Sequence, residues 1–455
     1  MKPLTAQQIA EILGTQVAAG RSDVLAAGGV STDTRTLAPG AVFFALRGEN
    51  FDGDTFARTA LDLGASVVIV HQWHGGDSVG DAAVIEVSDT LLALQRLALW
   101  WRKQLDLPVI AITGSNGKTS TKDFTSAVLS RKYHVSATRG NLNNHIGVPL
   151  TVLATTQEHT AAVWEMGMNH SGEIAPLCEI AKPKFGIITN IGTAHIEFLG
   201  SRDAIAEEKG SLARSLPMDG MLFIPATCEY HEYLRQRTKA SIISVGNGRG
   251  LVRAENLVFG AESTHFSLVI EGVGTTDVVL SVPGRHMVTN ALLAAGVGWK
   301  LGMSITEIAA GLASAKLTGG RLHRYVSHGV TVIDDTYNAN PESMAAAIET
   351  LSDMPATHGG RKIIVLGRMG ELGAHGPAAH LRTGELAAKR NLTVIAVGEG
   401  AEEIARGAND SPYFPIFEDA AAWLTREVRV GDVVLFKGSR TATVEKVMNQ
   451  AFPRN

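Results

Sequence analysis

Cysteine is nearly absent from this chain of 455 residues: Cys178 and Cys228 are too few for a disulfide framework and lack the paired spacing of a metal site. Both read as reduced packing residues, which points to a cytoplasmic protein. Aromatic residues are sparse as well, at 6%. Neither sign of charge dominates, since 41 Lys and Arg stand against 45 Asp and Glu, and a formal net charge of −4 sets up no field to attract nucleic acid or an anionic membrane. No uncharged apolar run approaches the roughly 18 residues of a membrane span. The opening MKPLTAQQIAEILG has helix-spaced apolar residues but no charged stretch followed by an apolar one, so it does not read as a signal peptide. Internal repeats and low-complexity tails are missing too, which argues against a solenoid, and GGDSVGD at 75–81 is the one conspicuous loop-like stretch.

What is present is the material of a multidomain α/β protein. Hydrophobic residues at 45% and charged residues at 19% suit a chain that buries enough apolar surface to fold. Single cores stop growing near roughly 250–300 residues, so two or three domains are expected. Residues 1–85 read as a small α/β unit, with VFFAL and ASVVIV as strands and FARTALDLG as a helix between them. A helix, TLLALQRLALWWRKQLD, leads into a central unit, 86–316, that opens with the apolar run PVIAIT. Alternation of AAVWEMG, FGIITNIG and EEKGSLARSL predicts a mostly parallel sheet with active residues at strand C-termini. After LTGGRLHRY a third unit, 317–455, alternates VTVIDD, KIIVLG, LTVIAVG and DVVLFKG with helices, the pattern of a Rossmann-like domain.

The strongest local signal is TGSNGKTS at 113–120, between the strand PVIAIT and the helical TKDFTSAVLSRK. Gly114 and Gly117 let backbone N–H groups of the loop through Ser115, Asn116 and Ser120 close around phosphate oxygens. Lys118 brings a countercharge for the β- and γ-phosphates, and Thr119 a hydroxyl for Mg²⁺. Its spacing is shorter than the general phosphate-loop pattern, and the flanking strand and helix restore the signal. Glu165, at the end of a strand, suits a Mg²⁺ site completed by waters and phosphates, although alone it does not separate a ligand from a capping acid. His195 in TNIGTAHIE reads equally as a satisfied polar residue, and Lys209 in AEEKGSL as an exposed helix lysine beside Glu207 and Glu208.

Their order carries more than any one of them. TGSNGKTS, GNLNNHIGVP (140–149), EMGMNH, TNIGTAHIE, AEEKGSL, GRHMVTNALLA (284–294) and DDTYNANPESM (334–344) together resemble the Mur ligases over nearly the whole chain. The resemblance implies an ATP-dependent ligase in which a peptide carboxylate takes the γ-phosphate of ATP and the acyl phosphate then accepts an amine. It implies two Mg²⁺ ions, one at Thr119 and Glu165, the other at His195 and a carbamylated Lys209, with Lys118, His195 and Lys209 as the catalytic group. An ammonium cannot ligate a cation, whereas the CO₂ adduct of a lysine can. It further implies nucleotide contacts from Asn290, Arg321 and Asp335, and places Lys437 on an element facing a closed cleft.

Residues 31–56, STDTRTLAPGAVFFALRGENFDGDTF, resemble the uridine-nucleotide domain of the members that add D-alanyl-D-alanine or a diamino acid. Thr34, Arg35 and Arg47 are then expected at the diphosphate. GNLNNHIGVP, with Asn143 and Asn144, and YNANPESM, with Asn338, favour the D-alanyl-D-alanine adder, and no DNPR-type motif supports the diamino-acid alternative. The expected substrates are therefore UDP-N-acetylmuramoyl-tripeptide and D-alanyl-D-alanine, handled by a monomer. Two departures stand out: Arg368 in LGRMGELG occupies a position expected to be acidic, and Asp54 one expected to be histidine. A nonenzymatic ATP- and UDP-peptide-binding scaffold is the competing class, and it would have no use for Thr119, Glu165, His195 and Lys209 together.

Overall fold

The run Val109–Thr113 is apolar on both faces, and Val109 to Ile112 are fully shielded from solvent, as a strand in the interior of a parallel sheet requires. In the computed structural model, which describes residues 1–48, 51–76, 78–355 and 359–454, this strand lies inside a nine-stranded sheet. Glu49 and Asn50 of the N-terminal match and Asp77 of the Gly/Asp stretch fall outside the described residues. Across that sheet the order is Val135–Ala137, Ala161–Glu165, Val109–Thr113, Phe185–Ile188, Met221–Pro225, Ser241–Asn247 and Val252–Phe259, all parallel. Strands Thr264–Ile270 and Gly274–Leu280 extend it as an antiparallel meander, with a register shift between Glu255 and Val258. No strand had been expected from the sequence in that stretch.

A five-stranded sheet precedes it, ordered Val17–Gly20, Ala83–Glu86, Val67–Val70, Val42–Phe44 and Val30–Ser31, in which only the first pairing is antiparallel. A six-stranded sheet follows, ordered His323–Ser327, Val330–Asp334, Val433–Lys437, Lys362–Leu366, Thr393–Val397 and Tyr413–Phe414, again with only the first pair antiparallel. Three α/β layers of this kind are the fold class expected from the alternation of apolar runs. Helices Lys118–Leu129 and Arg285–Lys300 pack against each other over the central sheet, and Val128 wedges between Gly298 and Gly311, where an added Cβ would meet it within 2.7 Å. That tight packing fixes Asn290, on the second helix, beside the start of the first.

Candidate active site

The helix Lys118–Leu129 begins without a side-chain cap: its N-cap is Gly117, at φ +79°. Its first amides are therefore available to an anion, reinforced by the helix dipole. The loop in front of it requires glycine for two distinct reasons. A Cβ on Gly114 would sit 1.9 Å from Thr189 Oγ1, and one on Gly117 would sit 2.7 Å from Asn290 Oδ1. Thr189 also clamps the loop by donating its hydroxyl to the Asn116 carbonyl at 2.5 Å. Asn290 is 6% exposed, and among the described residues the only bond to its side chain is a 3.9 Å contact from Nδ2 to the Met287 sulfur. Its amide is thus left to serve the cleft.

That cleft has a volume of about 870 Å³ and lies between the central and third units. Thr119 donates its hydroxyl to Glu165 Oε2 at 2.8 Å, while Glu165 Oε1 accepts from Asn143 Nδ2 at 2.8 Å. A hydroxyl and a buried carboxylate in contact at a phosphate loop are a donor set that fits Mg²⁺ completed by phosphate and water. Among the described residues no group of three or more His, Cys, Asp or Glu converges as a self-sufficient metal cage. The third unit reaches the same loop directly. Arg321 donates to Thr119 Oγ1 at 3.1 Å while lying over the Tyr337 ring at 4.0 Å, and Asn340 Nδ2 donates to Asn116 Oδ1 at 2.8 Å. Asn116 Nδ2 is buried and has no partner among the described residues.

Both lysines of the site are held below their ordinary pKa, chiefly by burial. Lys209 is 1% exposed on the helix Arg202–Ser215, and its ammonium has no hydrogen bond or ion pair among the described residues. Burial, and then the charge of Lys118, hold its pKa well below the usual lysine range, with Glu208 opposing weakly. Glu208 has little to offer because its carboxylate accepts from the Gly172 and Ile174 amides, while Glu207 is taken up outside by Tyr233 and Arg214. Lys118 donates to the Gly114 carbonyl at 2.7 Å, and its own pKa is lowered by burial and by Arg321 against the pull of Glu165. His286, partly buried where it lines the cleft, is pushed down to about 4, chiefly by desolvation.

The structure brings together Gly114 to Ser120, Asn143, Asn144, Glu165, His195, Asn290, Arg321, Asp335, Asn338 and Lys437, although Gly114 and Lys209 lie behind the wall of the cleft rather than in it. His195 and Lys209 make no bond to each other. His195, held at φ +64°, has its Nδ1 2.6 Å from Glu371 Oε2 of the third unit. Asn144 caps the amides of Ile146 and Gly147, and Asn338 and Asp335 both receive the Lys437 ammonium. Thr34, Arg35 and Arg47 do not line the cleft. Arg35 is engaged by Asp33, and Arg47 by Asp52 and Asp54. Asp54, where histidine was expected, accepts from the His71 and Gln72 amides and so anchors Arg47. Sequence reasoning missed Thr189, His286, Asn340, Glu342 and Glu371. Thr189 was legible only as the neighbour that Gly114 must clear.

Comparison with known proteins gives three consecutive family matches: "Mur ligase family, catalytic domain" over residues 27–100, "Mur ligase middle domain" over 112–298, and "Mur ligase, glutamate ligase domain" over 320–440. The UDP-N-acetylmuramoyl-tripeptide--D-alanyl-D-alanine ligase of Escherichia coli (strain K12) is 36% identical over 460 residues, which is 98% of each chain. A crystal structure of MurF from Acinetobacter baumannii superposes with a TM-score of 0.91 at 33% identity, covering 100% of both chains. The MurF ligase of Thermotoga maritima in complex with ADP gives 0.82 at 28% identity, over 93% of this chain and 96% of the other.

Proposed function

The chain belongs to the Mur ligase family, and on that premise we propose that it joins D-alanyl-D-alanine to UDP-N-acetylmuramoyl-tripeptide, cleaving ATP to ADP and phosphate, in peptidoglycan precursor synthesis in the cytoplasm. The observation that carries this reading is the phosphate loop met from both sides, by Glu165 and Asn290 of the central unit and by Arg321 and Asn340 of the third. ATP lies with its phosphates on the loop amides and the uncapped helix start, and Lys118 neutralises charge near the bond that breaks. The tripeptide carboxylate attacks the γ-phosphorus, ADP leaves, and the amine of the dipeptide attacks the acyl carbonyl. Phosphate departs from the tetrahedral adduct as the amine loses its proton.

Thr119 and Glu165 would hold one Mg²⁺, and His195 with a carbamylated Lys209 would hold a second. When bound, these ions offset phosphate charge and polarise phosphoryl oxygens. The displaced pKa of Lys209 supports the carbamate, because CO₂ reacts with the neutral amine. Positioning and charge compensation account for most of the rate expected of a site that performs little covalent chemistry of its own. Asn290, Arg321 and Asp335 orient the nucleotide, Asn143, Asn144, Asn338 and Lys437 border the peptide substrates, and Thr34, Arg35 and Arg47 receive the uridine diphosphate.

The test incubates the protein with ATP, UDP-muramoyl-tripeptide and D-alanyl-D-alanine and follows phosphate release and product mass. ADP, phosphate and the pentapeptide should appear in equal amounts, and omitting either peptide substrate should stop all three. AMP and pyrophosphate as products would overturn the mechanism. Faster turnover with a diamino acid than with the dipeptide would move the chain to the diamino-acid-adding branch.

A further inference from the structure

Five Lys and Arg side chains line the cleft, and four of them have partners. Lys118 donates to Gly114, Arg321 to Thr119, Lys437 to Asp335, and Arg440 pairs with Glu445. Arg368 is the fifth, and among the described residues its guanidinium has no hydrogen bond, ion pair or aromatic ring against it. Its backbone, by contrast, is held on both sides. The Arg368 carbonyl accepts from the Ser439 amide at 2.9 Å, and the next amide, Met369, donates to His380 Nε2 at 2.7 Å. Its side-chain stem runs past Gly400, where an added Cβ would come within 3.3 Å of it. A fixed stem thus presents five N–H donors to the cleft.

An exposed arginine is ordinarily a solvated one, and two observations separate Arg368 from that case. First, it sits where the parallel strands Lys362–Leu366, Thr393–Val397 and Val433–Lys437 end, the edge at which open α/β sheets take their ligands. Second, Glu371, three residues further along the same loop, reaches His195 at 2.6 Å. The loop therefore borders the reacting end of the cleft and not the end marked by Asn290 and His286. An acidic residue was expected at this position, so the departure reverses the sign of charge at that end.

The anions that must be accommodated there can be assigned one by one. The phosphates of ATP have Lys118 and the loop amides, and the uridine diphosphate goes with residues that do not line this cleft. The carboxylates of the tripeptide and of the incoming dipeptide remain. One tripeptide carboxylate is consumed at the γ-phosphate, whereas the dipeptide's is carried about 7 Å from its own amine when extended, out along the third unit's side of the cleft. We infer that Arg368 binds this terminal carboxylate and is a specificity-determining residue that selects acceptors with a free C-terminal carboxylate. The inference rests on the ligase reading given above. A bidentate guanidinium–carboxylate pair contributes about 10- to 100-fold in affinity.

Steady-state kinetics with D-alanyl-D-alanine and its C-terminal amide, on the wild type, Arg368→Ala and Arg368→Lys, test it. The wild type should show a KM about 10- to 100-fold higher for the amide than for the acid. Arg368→Ala should raise the KM for the acid by that factor and leave the KM for the amide unchanged, so that discrimination disappears, while Arg368→Lys recovers part of it. The KM values for ATP and UDP-tripeptide should not move. Equal use of acid and amide by the wild type overturns the inference, as does discrimination that survives in Arg368→Ala, or a KM increase for ATP or UDP-tripeptide instead. Should Arg368→Ala fail to fold, Arg368→Gln carries the same comparison. A wild type that turns over no acceptor refutes the ligase reading and the inference with it, a result distinct from a loss confined to the variants.

Discussion

Replacing Gly117 by alanine challenges the phosphate loop where backbone and neighbour both resist. The backbone is at φ +79°, and the new Cβ would lie 2.7 Å from Asn290 Oδ1, 3.0 Å from Nδ2 and 3.2 Å from Cγ. The left-handed conformation costs alanine about 1–2 kcal/mol, and the stiffer unfolded chain offsets about 0.4–1 kcal/mol of that. Overpacking against Asn290 adds about 1–3 kcal/mol, for a net loss near 3 kcal/mol. The overlap can be lifted by itself, because Asn290→Ala removes all three crowding atoms and leaves the φ penalty in place. Gly117→Ala with Asn290→Ala should therefore be about 1–3 kcal/mol more stable than the two single effects summed. Guanidinium denaturation of the four proteins measures this coupling. Calorimetric titration with ADP should show weakened binding in every variant, the double one included, since Asn290 is then missing. Additivity within about 0.5 kcal/mol would refute the claim that Asn290 is seated against the loop.

Lys209→Ala should fold and still bind ADP yet lose most ligase activity, with partial recovery on adding formate; full activity without additive would reduce Lys209 to a packing residue. In CO₂-free buffer the lowered pKa of Lys209 means that, as pH falls from 10.5, the unfolded chain binds its proton before the folded chain does. Wild-type stability should thus fall as pH drops from 10.5, and Lys209→Met, which keeps the stem, should flatten that dependence. His286, unfolded pKa 6.5 and folded about 4, contributes stability that is complete above pH 6.5 and lost as pH falls toward 4. His286→Gln should remove this acid limb, worth at most about 3 kcal/mol in denaturation series, and an unchanged limb would exclude His286 as its source.

The parts of the fold that could be read from the chain are those set by local pattern. Doubly buried strands such as Val109–Thr113 and Val433–Lys437 announce themselves as unbroken apolar runs, and glycines at 114 and 117 mark a loop that something must approach closely. The edge at 252–280 could not be read this way, because Val252–Phe259 is broken by Glu255 and Asn256 at the register shift and the last strand, Gly274–Leu280, is half solvated. Contacts that assemble the cleft were equally hidden. Asn340 meets Asn116 across 224 residues, and Glu342 meets Thr193 across 149, and neither pairing leaves a periodic trace. Arg35 and Arg47 were legible as cations, but not as cations already engaged by Asp33, Asp52 and Asp54.

Those hidden contacts bear on how the third unit is held. On the cleft side it meets the central unit through Arg321 to Thr119, Asn340 to Asn116, Glu342 to Thr193 and Glu371 to His195, all between polar side chains or to a backbone amide. The neutral Asn340–Asn116 bond contributes about 0.5–1.5 kcal/mol, and those that include Arg321, Glu342 or Glu371 about 1.5–3 kcal/mol before solvent screening. Away from these bonds Phe124, Leu322 and Ile333 belong to one continuous apolar core that spans both units, and a pocket of about 390 Å³ opens beside them. Three of the four central-unit residues in these bonds, Thr119, Asn116 and His195, are also candidate contacts for phosphate or metal. Thr119 has one proton and two lone pairs, and it already gives the proton to Glu165 and one lone pair to Arg321. A bound nucleotide and cation must therefore renegotiate the same bonds that hold the units together. Closure and substrate binding draw on one set of side chains, so they are thermodynamically coupled without any relay through the core.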